Sequence, residues 1–152
     1  MVFSLTALLV VAADQLTKIW IRSNLAVGQS IPDHGFFQIT HIHNTGAAFG
    51  LFPDHSFLLT IVAAVGIVLL LVYALFIHRR FPFLDNMLSW IALGLILGGT
   101  LGNLIDRLRL DYVIDFISVG IWPSFNIADS AVTIGAIMVA YFLLRLVRAE
   151  EQ

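Results

Sequence analysis

Long runs of apolar residues dominate the pattern along this chain. Four of them, at about 2–21, 57–77, 87–105 and 131–147, are long enough for a helix to cross a bilayer. The hydrocarbon core is ~30 Å thick, which takes about 20 helical residues. The pattern therefore predicts an all-α membrane protein, a bundle of four transmembrane helices in a single domain over residues 1–152.

The first run has a competing interpretation. Its stretch VVAAD resembles the small-residue cleavage region of a signal peptide. A signal peptide begins with positive residues, and here no Lys or Arg precedes the run. Three further apolar runs follow, so we expect a helix that is retained.

The connection between the first two runs, about 23–56, is long and carries its own pattern. Its stretch GFFQITHIHNTG is rich in aromatic and β-branched residues and ends in a turn signal at Asn44–Gly46. We expect a small β-containing loop, a strand or hairpin on the outer membrane surface. In the third run, Gly94, Gly98 and Gly102 recur every four residues, which lets helices approach closely in lipid.

The distribution of Lys and Arg predicts the orientation of the bundle. Basic residues at 78–80 and 145–148 fall on the same side of a four-helix chain, and 23–56 contains neither Lys nor Arg. Basic residues at 18–22 and 107–109 weaken the contrast. We expect both termini in the cytoplasm and the loop 23–56 outside.

Composition places the chain outside the range of soluble domains. It is 59% hydrophobic and 12% charged, with a mean hydropathy of +0.93, whereas soluble domains are about 45–50% apolar and about 25% charged. The net charge of -2 offers no basic patch for a nucleic-acid partner. The absence of cysteine excludes disulfides, thiolate nucleophiles and thiolate metal sites.

Two charges interrupt the first run. A charge inside a membrane span is costly and usually faces a cavity or a partner. Asp14 and Lys18 are four residues apart, so they can form an ion pair that neutralises both. Alternatively, Asp14 orients a site at the outer end of the bundle. The two interpretations are compatible.

A second polar group closes the third run, in GGTLGNLIDRLR. If the helix continues, Asn103 and Arg107 share a face, whereas Asp106 points elsewhere. One interpretation is a helix end whose arginine reaches up to the interface. The other is that Asn103 and Arg107 bind polar groups of a substrate or lipid, with the nearby glycines leaving room.

Two aspartates flank the connection between the third and fourth runs. Asp129, just before the fourth run, suits a helix cap or first turn, and Asp115, in YVIDFI, suits a solvated loop. Two adjacent carboxylates instead share one proton and can activate water against a peptide bond, with neither role assigned to a named residue. Four further polar residues are expected at the same membrane depth: Asp14, Asn44, Asn103 and Arg107.

Other chemistries have weaker support. His41 and His43 alternate along a predicted strand, but there is no HExxH and no obvious third metal ligand. No GxSxG motif recommends a serine nucleophile. We therefore expect no metal and no cofactor.

Two non-catalytic classes of protein also place acids among apolar helices. A small transporter needs intramembrane acids and glycine-rich helices, but its site lies near the midplane and an internal repeat is common. Here the acids cluster toward one face, and we find no repeat. A membrane scaffold, in which polar residues only lock helices together, stays open on the residues alone.

Five stretches, in order, connect these residues to a known family. They are DQLTK at 14–18, HNTGAAFG at 43–50, GGTLGNLIDR at 98–107, VIDFI at 113–117 and FNIADS at 125–130. With these motifs between four apolar runs, the chain resembles lipoprotein signal peptidase, also called signal peptidase II, over nearly its whole length.

The resemblance implies an aspartyl protease of the bacterial cytoplasmic (inner) membrane, with four helices, both termini inside and the active site toward the outer face. Such enzymes cut the signal peptide from prolipoproteins just before a cysteine that carries diacylglycerol, and the cyclic peptide antibiotic globomycin inhibits them. The family's catalytic pair falls on Asp115 and Asp129. Its supporting residues fall on Asp14, Lys18, Asn44, Gly46, Gly99, Asn103, Arg107, Asn126 and Ala128.

Three placements complete the expectation. Phe36, Phe37 and Phe49 in the outer loop would clamp an apolar peptide and shield the dyad. Asn44 and Arg107 would hold backbone carbonyls of the substrate. A turn through Trp122 and Pro123 would bring the two aspartates together, with Asn126 supporting the second.

Overall fold

The computed structural model describes residues 1–46, 55–78 and 86–150. Four helices in this part of the chain are long and apolar enough to cross a membrane, as the pattern predicts. The second ends in a π-helical turn at Tyr73–Ile77. The helices are α1 (Val2–Asn24), α2 (Ser56–Val72), α3 (Met87–Leu110) and α4 (Ile127–Glu150).

Three helices extend beyond their apolar runs at the end where the site lies. α1 continues to Asn24, α3 continues to Leu110, and α4 begins at Ile127 rather than near 131. α3 ends where Asp111 adopts a left-handed conformation (φ 66°) and its N–H binds the Arg107 carbonyl. Hydropathy marks only the part of a helix that suits hydrocarbon, so the polar turns at these ends were not included in the predicted spans.

Glycines bring α3 against its neighbours, as their spacing predicts. A Cβ atom on Gly94 or Gly98 would lie 2.7 Å from a backbone carbonyl oxygen of α1. Gly102 lies beside the carboxylate of Asp14. Gly99, the residue after Gly98, contacts the Ala128 carbonyl of α4. α3 is therefore the central helix, packed between α1 and α4.

A four-stranded antiparallel sheet lies at the end of the bundle where α3 ends and α4 begins. Its order follows the chain: β1 (Ser30–Ile31), β2 (Phe37–Asn44), β3 (Val113–Val119) and β4 (Trp122–Phe125). The predicted β structure in the first long connection is confirmed. The other half of the sheet comes from the connection between α3 and α4, for which no strand was predicted. That the sheet lies on the outer membrane surface stays a prediction.

The sheet is attached to the helices by an apolar cluster. Ile21 and Leu25 at the end of α1 pack against Ile114 and Phe116 of β3, and all four are buried. The turn between β3 and β4 is at Gly120 and Ile121, whereas residues 122–125 are strand. The expected turn through Trp122 and Pro123 is therefore wrong. Glycine suits this turn because residue 120 has a positive φ of 54°.

Candidate active site

Asp115 lies in the middle of β3 and is only 2% exposed. Its Oδ2 accepts a hydrogen bond from Asn44 Nδ2 on the neighbouring strand β2, at 2.8 Å. Its Oδ1 accepts one from Asn126 Nδ2, at the start of α4, also at 2.8 Å. The solvated-loop interpretation of Asp115 is therefore wrong: the carboxyl group is buried and both oxygens are occupied.

Asp129 lies in the first turn of α4, as the helix-cap interpretation predicts. Its N–H donates to Asn126 Oδ1 at 2.9 Å, and its Oδ2 accepts the Asn126 N–H at 3.2 Å. This reciprocal pair has the form of a capping box. The other oxygen, Oδ1, accepts from Asn103 Nδ2 of α3 at 2.8 Å. The cap therefore leaves Asp129 facing the same polar cluster as Asp115.

Asn126 connects the two aspartates. It is fully buried, and its side-chain amide donates to Asp115 while its backbone N–H and side-chain oxygen bind Asp129. Only this residue separates β4 from α4. A single side chain therefore holds the carboxyl groups of a strand and a helix in one site.

The electrostatics favour one shared proton between these acids. Burial, and after it the negative charge of Asp129, raises the pKa of Asp115 to about 7, although the amides of Asn44 and Asn126 act in the opposite direction. Two close carboxyl groups cannot both ionise cheaply. Near neutral pH the pair can therefore supply an acid and a base together.

A buried ion-pair cluster lies behind the dyad. Lys18 Nζ is 2.8 Å from Asp14 Oδ2 and 2.9 Å from Asp106 Oδ2, and it donates to Asn103 Oδ1 at 3.0 Å. The predicted pair of Asp14 and Lys18 is confirmed. Asp14 Oδ1 also accepts the Ala128 N–H of α4 at 3.0 Å. Asp14 therefore both neutralises a charge and orients the helix that carries Asp129.

Arg107 and Asn44 bind groups of this chain. Arg107 Nη2 donates to the Gly46 carbonyl at 3.0 Å, and the Gly46 N–H donates to Asn44 Oδ1 at 2.9 Å. These contacts connect α3 to the end of β2, next to the partner of Asp115. Whether Asn44 and Arg107 also hold substrate carbonyls stays a prediction.

Two residues of the cluster were missed by sequence reasoning. Asp106 was expected to point away, yet it contacts Lys18, accepts the Ile114 N–H at 3.1 Å and accepts from Gln15 Nε2 at 3.0 Å. For Gln15 the available signal was a polar residue inside an apolar run, directly after Asp14. For Asp106 it was a charge one helical turn after Asn103.

A cavity of about 390 Å³ opens beside the dyad. Its polar wall includes Asn44, Asp115 and Asp129. Its apolar wall includes Trp122 of β4 and Ile134 of α4. A largely apolar cavity with a few convergent polar groups suits a ligand that is mostly apolar and is cut or bound at one polar point.

The two histidines occupy structural positions. His41 Nδ1 lies 2.9 Å from the Leu25 carbonyl oxygen, and the His43 ring stacks on Tyr112 with the ring centres 3.7 Å apart. Across the described ranges 1–46, 55–78 and 86–150, no group of three or more His, Cys, Asp or Glu residues could hold a metal ion.

The other expected residues lie partly outside this region. Phe37 begins β2 at the end far from Asn44, and Phe36 precedes it; they are 55% and 76% exposed, and Phe36 packs on Gly120. Phe49, and the basic residues Arg79 and Arg80 that supported the orientation, lie outside the described residues. The clamp and the orientation stay predictions.

Comparison with known proteins agrees with the motifs. A family model described as signal peptidase (SPase) II matches residues 6–145. A lipoprotein signal peptidase of Dehalococcoides mccartyi is 53% identical over 137 residues, which covers 90% of this chain and 85% of the relative. One from Moorella thermoacetica is 45% identical over 145 residues, which covers 95% and 93%.

Two solved structures share the fold. Both are described as bacterial membrane enzymes determined by the in meso method. The first, at 2.3 Å resolution, has a TM-score of 0.80 and 34% identity, and the match covers 93% of this chain and 86% of the other. The second, at 1.9 Å, has a TM-score of 0.77 and 34% identity over 92% and 90%.

Proposed function

The chain belongs to the signal peptidase II family, and we propose that it is a membrane aspartyl endopeptidase acting on diacylglyceryl-modified prolipoproteins. Family membership makes it a peptidase of the bacterial inner membrane, and its relatives are named lipoprotein signal peptidases. The finer proposal is that it cuts before the lipidated cysteine by means of Asp115 and Asp129. The observation that supports it most strongly is the contact of Asn126 with both carboxyl groups.

The proposed reaction needs only the dyad and one water molecule. The ionised aspartate takes a proton from water as the water oxygen bonds to the scissile carbonyl carbon. The protonated aspartate donates to the carbonyl oxygen, which gives a neutral tetrahedral intermediate. The first aspartate then protonates the leaving amine, and the second recovers its proton as the C–N bond breaks. Each cycle ends with one proton on the pair.

The surroundings of the dyad suit a lipidated peptide. The cavity wall at Trp122, Phe125 and Ile134 is apolar, and Ile134 lies about two turns into a helix that can cross the membrane, with half its surface exposed. A substrate anchored in the outer leaflet, and the surrounding membrane lipid, can reach the cavity from that side. We propose that globomycin binds in the same cavity and contacts the dyad.

Replacement of Asp115 by Asn tests the activity. The amide keeps the shape of the carboxyl group but cannot exchange the proton, so we expect a folded protein that binds a lipidated prolipoprotein and does not cut it. The purified variant in detergent is incubated with the prolipoprotein, and loss of the signal peptide is followed as a shift on a gel. Cleavage at the wild-type rate would rule out the dyad, and proton-coupled uptake into vesicles by the wild-type protein would favour a transporter.

We also propose that both termini are cytoplasmic and that the sheet is outside. The chain has no cysteine, so a single cysteine placed at Asp33 gives an unambiguous label. We expect an impermeant thiol reagent added to intact spheroplasts to modify it. Labelling only after permeabilisation would mean that the topology is the reverse of the one proposed.

A further inference from the structure

We propose that Asp106 is a positioning residue that holds and partly neutralises Lys18, and so sets, through Lys18 and Asn103, the pH range in which Asp129 is ionised and the shared proton stays on Asp115. The proposal rests on the function proposed above, because it assigns the two roles within that dyad. It concerns two residues, Asp106 and its partner Gln15, to which the motifs assigned no role.

Lys18 is the positive centre of this arrangement. It is 2% exposed, and its ammonium group has three polar neighbours, Asp14 at 2.8 Å, Asp106 at 2.9 Å and Asn103 at 3.0 Å. An ammonium group has three N–H donors and no acceptor. All three donors are therefore engaged, and the position of the positive charge is fixed by two acids from different helices.

Asp106 is itself held from three sides. Its Oδ2 accepts the Ile114 N–H at 3.1 Å in addition to the contact with Lys18, and its Oδ1 accepts from Gln15 Nε2 at 3.0 Å. Gln15 also donates to the Gly102 carbonyl at 3.2 Å. Every contact that Asp106 makes here is one in which it accepts a hydrogen bond or faces a positive charge, as suits an ionised carboxylate.

The charge of Lys18 reaches Asp129 through the amide of Asn103. Asn103 Oδ1 faces two donors, Lys18 Nζ and Asn126 Nδ2, so its NH₂ group must face Asp129. Asp129 then accepts at both oxygens, from Asn103 and from the Asn126 N–H, in the first turn of α4. Negative charge is favoured at a helix N-terminus. Burial opposes ionisation of Asp129, whereas the positive charges of Lys18 and Arg107 favour it.

Asp115 lies in a different environment. Its two oxygens accept from the neutral amides of Asn44 and Asn126, and it lies in a strand rather than at a helix N-terminus. Burial and the charge of Asp129 raise its pKa to about 7, although its two amide partners and the charge of Lys18 act in the opposite direction. Asp14 and Asp106, the other acids of the cluster, are paired with Lys18. The proton of the pair is therefore held most cheaply on Asp115.

Each proton transfer of the reaction can then be assigned to one of the two aspartates. Asp129 accepts the proton of the attacking water, and Asp115 donates its proton to the carbonyl oxygen. Asp129 next protonates the leaving amine, while Asp115 takes back a proton from a hydroxyl group of the intermediate. The resting state, neutral Asp115 and ionised Asp129, is restored.

The variant Asp106→Asn tests the positioning role. It keeps the size of the side chain and removes one negative charge beside Lys18, so the positive charge of Lys18 acts more strongly on the dyad. We expect both limbs of the kcat–pH profile to move to lower pH, by about 0.5–1 unit, with KM little changed. Asp33→Asn, the same substitution at an exposed position in the β1–β2 connection, should leave both limbs in place.

A lower kcat with unmoved limbs would mean that Asp106 is merely structural, and it would overturn the positioning role. Infrared spectroscopy of the free enzyme tests, without cleavage, which aspartate holds the proton. This test can be made even if Asp106→Asn does not fold. The C=O band of a protonated aspartate, identified by ¹³C-aspartate labelling, should titrate near pH 7 in the wild type. It should be absent in Asp115→Asn and present, with a lower midpoint, in Asp129→Asn.

The reverse pattern, a band kept in Asp115→Asn and lost in Asp129→Asn, would overturn the assignment. Both variants would still be inactive, so the proposed protease function would stand. Cleavage by both variants would instead remove the protease function, whatever the infrared result.

Discussion

Helices α2 and α3 are both long and apolar enough to cross a membrane, yet they relate to the protein in opposite ways. α2 has no charged residue and no buried residue between Ser56 and Val72. α3 has nine buried residues, among them four glycines and Asp106, and it contacts α1, α2 and α4. In a membrane, uniform apolarity marks the helix that faces lipid. Glycines and polar groups among apolar residues mark the helix that organises the bundle and its chemistry.

The largest difference between the two helices should appear on loss of a polar side chain. Asn103→Leu on α3 removes the contacts with Lys18, Asp129 and Asn126, so we expect kcat/KM to fall on the order of 10²–10³-fold. Thr60→Val on α2 removes only a bond to that helix's own Ser56 carbonyl and should be silent. Equal losses in the two variants would contradict the division of roles.

Matched glycine substitutions give the next largest effect. A Cβ on Gly98 would lie 2.7 Å from the Ala7 carbonyl oxygen, whereas a Cβ on Gly66 of α2 has no atom within 4 Å. We expect Gly98→Ala to destabilise the fold by about 1–3 kcal/mol through overpacking, and Gly66→Ala to be neutral or slightly stabilising. Thermal unfolding in detergent measures both, and similar Tm values would show that α1 and α3 are not closely packed.

Two arginines in the last turn of α3 allow a comparison within one helix. Arg107 is half-buried and bonded to the Gly46 carbonyl, whereas Arg109 is exposed. Arg107→Lys keeps the charge but loses the planar fork, so we expect about a tenfold loss of kcat/KM with the fold intact. Arg109→Lys is the control. Unchanged turnover and KM in Arg107→Lys would remove this residue from the site.

The smallest effect concerns stability as a function of pH. The pKa of Asp115 is raised in the fold, so its contribution to stability is fully present below its ordinary value of 3.8 and is lost as pH rises through about 7. Asp115→Asn has no such loss. We expect the Tm of the variant, relative to the wild type, to rise between pH 4 and 7, and a constant difference would place the titration on another group.

The helices and the glycine packing could be predicted because both depend on local composition. The second span, α2 together with its π-helical turn, matches its predicted range within one residue, 56–77 against 57–77. The polar ends of α3 and α4 could not be predicted, because hydropathy identifies only the apolar part of a helix. β3 was missed because it pairs with β2, a strand about 70 residues earlier in the chain, and β4 was missed because it pairs with β3.

Within the site, the dyad and eight of its nine supporting residues are joined by hydrogen bonds or ion pairs, and the ninth, Gly99, contacts the Ala128 carbonyl. The motifs predicted these positions but not the links among them. Asp106 shows why. Its direction depends on whether α3 stays helical past residue 105 and on where Lys18 of another helix lies. Neither is contained in the spacing of polar residues along α3.

The single residue between β4 and α4 has a mechanical consequence. Asn126 caps α4 and is bonded to Asp115, so the sheet and α4 are joined without a flexible linker. A change in the tilt of α4 therefore changes the distance between the carboxyl groups of Asp115 and Asp129. Helices adjust their tilt to the thickness of the surrounding bilayer. The lipid environment can therefore change the spacing of Asp115 and Asp129, and we expect turnover in reconstituted vesicles to depend on acyl-chain length.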